Sequence, residues 1–163
     1  MVSSESDHRA ADGSTTRRLA AILHADVAGY SRLMGIDEAG THARLMACRQ
    51  LIDERLVRHR GRVVGTAGDA VLAIFESVAE ALTAAVEIQA VLAERNAALP
   101  AEQQLAFRIG LNLGDVIVDG DDVFGNGVNV AARIEALAEP GGIAVSAAVH
   151  DQLAGKRAGS LDV

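Results

Sequence analysis

The sequence predicts an α+β domain: a ferredoxin-like βαββαβ core with additional strands and helices on a mixed, mostly antiparallel sheet. Three observations carry this prediction. Short β-rich apolar runs bounded by glycine or turn residues lie at 19–27, 71–75 and 143–146. Two long segments, 37–59 and 78–96, carry apolar residues at helical spacing. The elements alternate as βα, ββ, α, ββ, α, β, which places helices on one sheet rather than in a bundle.

In chain order, residues 1–16 are small and polar with no periodicity, the composition of a disordered tail, and the domain proper is expected over 17–163. The run LAAILHADV is a buried strand ending at Asp26, and Gly29 and a helical turn, YSRLM, follow it. Asp37 caps a helix to about His59, with Leu45, Cys48, Ile52 and Leu56 facing inward across the sheet. Residues 62–66 and 71–75 form a hairpin around TAGDA, with Asp69 at its tip. The second helix, 78–96, buries Val78, Leu82, Ala85, Ile88 and Leu92 and stops before Pro100. Two strands are expected next, 105–114 and 115–120, then a glycine-broken loop, GDDVFGNG, and a helix, VNVAARIEALA. Pro140, Gly141 and Gly142 end that helix, IAVS is a last strand, and 147–153 a short helix.

Composition narrows the function. At 163 residues, half of them hydrophobic, the chain holds one core. With 22 acidic and 15 basic residues, the net charge of −7 repels phosphate backbones and anionic lipid. One tyrosine, three phenylalanines and no tryptophan give no stacking platform for single strands, so a small ferredoxin-like nucleic-acid binder is disfavoured. The single cysteine, Cys48, sits on an apolar stripe and reads as a core thiol. No run has a signal peptide's apolar stretch or the roughly 20 apolar residues of a membrane span, so the chain reads as cytoplasmic.

Two carboxylates stand out. Asp26 ends a buried strand and Asp69 tips a hairpin that could lie beside it, and two adjacent carboxylates repel unless a cation lies between them. Taken singly, Asp26 could instead cap the next helical turn and Asp69 close its own. Asn129 and Arg133, four apart at a helix start, share one face and could hold a ribose and a phosphate. Alternatively, Arg133 pairs with Glu135 or Glu139. His24 shares a strand face with Asp26 and reads as a core or interface histidine.

Together the stretches ADVAGYSRLM, GDAVLAIF and DDVFGNGVNVAARIE, in that order and spacing, resemble the class III nucleotidyl cyclases, the adenylate and guanylate cyclase family, from Arg18 to Leu153. The resemblance implies a homodimer with two shared sites, each taking metal ligands from one chain and nucleotide contacts from the other. It assigns Asp26 and Asp69 to two divalent cations, Mg2+ or Mn2+. It assigns the backbone of Val27, Ala28, Gly29, Tyr30 and Ser31 to the terminal phosphates of a nucleoside triphosphate. Asp122 matches a base-selecting position, Asn129 the ribose-orienting asparagine, and Arg133 the arginine that stabilises the transition state. The activity implied is a lyase reaction forming a 3′,5′-cyclic nucleotide, cyclic AMP first, with pyrophosphate.

Two departures accompany the match. Gly65 stands at the other base-selecting position, a lysine in the cyclases that act on ATP, and Arg62 has the wrong strand parity to replace it. The family domain also continues into a strand pair with a triphosphate lysine, whereas this sequence ends AGKRAGSLDV, and its single lysine, Lys156, does not match that place. Both departures suit a competing reading, a cyclase homology domain that binds nucleotide and dimerises for regulation without turnover. Retention of both aspartates, Asn129 and Arg133 favours the enzyme.

Overall fold

The computed structural model describes residues 15–64 and 69–161. Its elements are β1 (Thr15–Val27), α1 (Tyr30–Ile36), α2 (Glu38–Arg58), β2 (Arg62–Val64), β3 (Val71–Phe75), α3 (Val78–Ala97), β4 (Phe107–Asp119), β5 (Asp122–Phe124), α4 (Asn126–Ala136), β6 (Ile143–Val145) and α5 (Ala147–Leu161), with a 3₁₀ turn at Ala101–Gln103. Among the described residues one six-stranded sheet runs β2-β3-β1-β4-β5, and β6 also pairs with β4. Every pairing is antiparallel except that of β6 with β4. The α+β fold with a βαββαβ core is therefore present, and β5 and β6 are additions along the outer edge of β4.

Alternation along β1 divides the core between the two faces of the sheet. Ala21, Leu23, Ala25 and Val27 point to α2 and α3, where they meet Leu45, Cys48, Ile52 and Leu56 from one helix and Ala81, Ala85, Ile88 and Leu92 from the other. Ala20 and Ile22 point the opposite way, into a smaller cluster with Leu72, Ile74, Val116 and Ala131 of α4. Cys48 is a free thiol buried in the first cluster, and burial pushes its pKa up, as an inert core cysteine requires.

The helix starts follow their sequence signals. Asp37 caps α2 by accepting from the Gly40 amide at 3.0 Å, and Ser77 caps α3 by accepting from the Glu80 amide at 3.2 Å. Inward positions of α3 are rich in alanine, so the helix lies close to the sheet.

The structure corrects five expectations. β1 begins at Thr15, inside the expected tail, because backbone pairing of Thr15 with Asp119 and Thr16 with Val118 extends the ladder past the end of the core. The span expected to hold two strands, 105–120, holds one, Phe107–Asp119: Gly114 is not a turn but pairs with Ala20, and a side chain on it would meet Asn112 Nδ2 at 3.0 Å and the Gly127 Cα at 3.2 Å. The expected loop GDDVFGNG contains β5, reversed at Gly120 in the left-handed region (φ 62°), where glycine carries no Cβ penalty. The helix α4 starts at Asn126, two residues before its apolar pattern, and α5 runs to Leu161 rather than stopping at 153. The β2–β3 hairpin is present, but 65–68, and with them Gly65, lie outside the described residues, as do 1–14 and 162–163.

Among the described residues no helix is long and apolar enough to cross a membrane.

Candidate functional site

The two carboxylates meet. Asp26 lies at the end of β1 on the face that carries α4, and Asp69 lies two residues before β3, whose Val71 pairs with Ala25. The Asp26 carboxyl is raised from its ordinary 3.8 to about 7, first by burial, then by hydrogen bonding to and the charge of Asp69, with a further push from Glu135 and an opposing pull from the Val27 amide. That amide donates to Asp26 Oδ1 at 2.9 Å. Asp69 Oδ2 is buried with no hydrogen-bond partner. A partnerless buried carboxylate oxygen beside a second carboxylate is unfavourable by itself and suits a hard cation. Among the described residues no group of three or more His, Cys, Asp or Glu side chains is arranged to hold a metal. The pair thus offers few protein ligands, the pattern for ions bound jointly by one or two carboxylates and substrate phosphates.

The contact has a pH signature. Between pH 3.8 and about 7 folded Asp26 holds a proton that the unfolded chain has released. Stability of the metal-free protein is therefore expected to fall as pH rises through that window, the slope following the excess protons bound by the folded state. Urea unfolding at successive pH values measures this, and Asp69→Asn should flatten the decline. Stability that instead rises through the window in the wild-type chain would contradict the contact.

The turn after Asp26 is partly engaged. The Val27 amide is held by Asp26 and the Ala28 amide donates to the Ala106 carbonyl at 2.8 Å. Gly29 precedes α1 with φ 69° and no side-chain cap, which leaves the first-turn amides of Tyr30 and Ser31 without intrahelical acceptors. Gly29 and Ser31 are exposed.

Asn129 and Arg133 are both exposed on α4, one turn apart. Among the described residues no ion pair or side-chain hydrogen bond holds Arg133. Glu135 turns inward instead, with His24 Nδ1 at 3.2 Å from its Oε1, so the alternative pairing of Arg133 with Glu135 does not form. His24 is accordingly a part-buried partner of a buried carboxylate. Sequence reasoning passed over Glu135, although its spacing from Ala131 and Ala138 places it on the inward stripe of VNVAARIEALA.

One protomer does not bring all the candidates together. Asp122 pairs with Asp119, which faces Thr15 at the start of β1. Asp26 is eleven residues further along that strand, roughly 35 Å at the rise of extended chain. Arg62 Nη2 donates to the Gly120 carbonyl at 2.6 Å and so anchors the turn preceding Asp122. A cavity of about 600 Å³ near Arg18, Arg60 and Arg62 lies at this same far end, away from the aspartate pair. Its His59 is occupied by Glu80 and Glu87 at 3.3 and 3.0 Å.

Residues 14–161 match the family described as Adenylate and Guanylate cyclase catalytic domain. The chain is 50% identical over 144 residues to "Putative adenylate cyclase 3" of Rhizobium meliloti (strain 1021), covering 88% of this chain and 24% of that protein. It is 33% identical to "Adenylate cyclase" of Streptomyces coelicolor, over 84% of this chain and 34% of that one. The chain thus spans about a quarter to a third of the length of these curated relatives. Among solved structures, the "Adenylate/Guanylate Cyclase/Hydrolase" of Silicibacter pomeroyi superposes with a TM-score of 0.80 at 44% identity, over 88% of this chain and 83% of that one. The adenylyl cyclase CyaB of P. aeruginosa superposes at 0.72 with 21% identity, over 84% and 81%, a likeness of fold.

Proposed function

Because this chain belongs to the adenylate and guanylate cyclase catalytic domain family, we propose that it converts a nucleoside triphosphate, ATP before GTP, into a 3′,5′-cyclic nucleotide and pyrophosphate at two sites shared across a homodimer. The observation that carries the reading is the Asp26–Asp69 contact with its buried, partnerless oxygen. A domain that only binds and dimerises has no need of such a pair.

Asp26 and Asp69 would hold two divalent cations, Mg2+ or Mn2+, which when bound supply the charge that acidifies the ribose 3′-hydroxyl and offsets the phosphates. The amides of Tyr30 and Ser31 would take terminal phosphate oxygens, as the start of a helix does. From the partner chain, Asn129 would orient the ribose and Asp122 the base. Arg133 would offset charge on the α-phosphorus as the 3′-oxygen bonds to it, its proton leaves, and the bond to pyrophosphate breaks. The distance between Asp122 and Asp26 within one chain, and the exposure of Asn129 and Arg133, support a site completed by a second copy. The cytoplasm, where nucleoside triphosphates are available, fits this activity.

Gly65 favours a second reading, a regulatory homology domain, because one base contact is missing. Product formation from each of the four triphosphates, with Mn2+ and with Mg2+, separates the two. Cyclic AMP that disappears in an Arg133→Ala control is expected; nucleotide bound without product would establish the regulatory domain. Gly65→Lys is expected to raise turnover of ATP, because lysine donates to an acceptor on adenine. Unchanged turnover would mean the base is chosen elsewhere.

A further inference from the structure

Resting on the cyclase reading, we propose that His24 and Glu135 are a positioning pair that seats α4 on the sheet and so aims Arg133. His24 stands two residues before Asp26 on β1, and Glu135 two after Arg133 on α4. Their side chains meet at 3.2 Å across 111 residues of sequence, and Glu135 is only 8% exposed. A carboxylate so buried requires a partner, and among the described residues His24 is the one it has.

The sheet is shaped to permit the contact. His24 pairs with Gly110 of β4, and a Cβ at Gly110 would run into the backbone of Glu135 and the Ala131 carbonyl. The missing side chain lets α4 descend onto β4, and at that depth Glu135 reaches the neighbouring strand. At the other end of the helix, Asn112 Nδ2 donates to the Gly127 carbonyl at 3.0 Å. The helix is thereby fixed at two points, and its outward residues take their direction from them. The His24–Glu135 point is the one beside Arg133.

In a shared-site dimer, Arg133 serves the aspartates of the partner. The pair therefore acts on the site opposite that of its own Asp26, which allows a test by chain. A mixed dimer of one Asp69→Ala chain and one Arg133→Ala chain keeps one complete site, with the arginine from the first chain and the aspartates from the second. Glu135→Ala added to the first chain is expected to lower kcat of that site about tenfold or more with KM within about twofold, a loss of alignment rather than of binding. Added to the second chain, where it removes only the push that Glu135 gives the Asp26 carboxyl, it should lower kcat clearly less than in the first placement. His24→Leu should show the same dependence on chain, and Glu135→Gln, which keeps an acceptor for His24, should restore turnover even if the alanine variant folds poorly. Equal losses in both placements, or none in either, would overturn the proposal.

Amide hydrogen exchange gives a readout independent of turnover. His24→Leu should speed exchange along α4 while α2 and α3 stay as in the wild type. Unaltered exchange along α4 would overturn the seating of the helix, whereas a wild-type chain that makes no product would overturn the cyclase reading alone.

Discussion

Asp69→Ala is expected to abolish cyclic-nucleotide formation with either Mn2+ or Mg2+ while leaving the metal-free fold at least as stable as before. The two effects have one cause. Asp69 presents a buried oxygen without a donor, and burial together with the neighbouring Asp69 raises the Asp26 carboxyl to about 7, so above that pH the folded protein confines two like charges. Removing one relieves the repulsion and also removes the cation's second carboxylate. Product assays together with urea unfolding at pH 8 check both. Surviving product would exclude Asp69 as a metal ligand, and lost stability without lost product would make it structural.

Arg133→Ala is expected to reduce kcat by about two to three orders of magnitude, by analogy with a single donor to an oxyanion. KM should change little, because the guanidinium is asked to meet charge that develops only at the reacting phosphorus. Stability should stay within about 0.5 kcal/mol, since Arg133 is exposed and no ion pair holds it among the described residues. Steady-state kinetics and thermal unfolding read these outcomes. A raised KM with unchanged kcat would make the arginine a ground-state phosphate contact.

The parts of the fold with strong periodicity were legible. The stripe of Leu45, Cys48, Ile52 and Leu56 and the cap at Asp37 placed α2 within a residue of its ends, because burial and capping both act locally. β4 was misjudged where glycine has a different use: Gly114 admits the close approach of α4 and reverses nothing. β5, three residues long, leaves no periodic trace.

The meeting of Asp26 with Asp69 was legible, because motif and topology agree there. Glu135 entered only as an alternative partner of Arg133, although residues two apart on a helix point to nearly opposite sides. That geometry turns the arginine outward and the glutamate onto His24. The amides of Val27 and Ala28 could not have been known to be engaged, because their acceptors, Asp26 Oδ1 and the Ala106 carbonyl, depend on the turn and on a residue just before β4, some eighty positions away.

The central claim, a catalytic site divided between two copies, is tested most directly by mixing Asp69→Ala and Arg133→Ala chains in equal amounts and measuring cyclic AMP. Each chain alone should be near background. In the mixture, half of the two-fold dimers should contain one complete site, restoring about a quarter of wild-type turnover. Dimers that form and recover nothing would contradict the account.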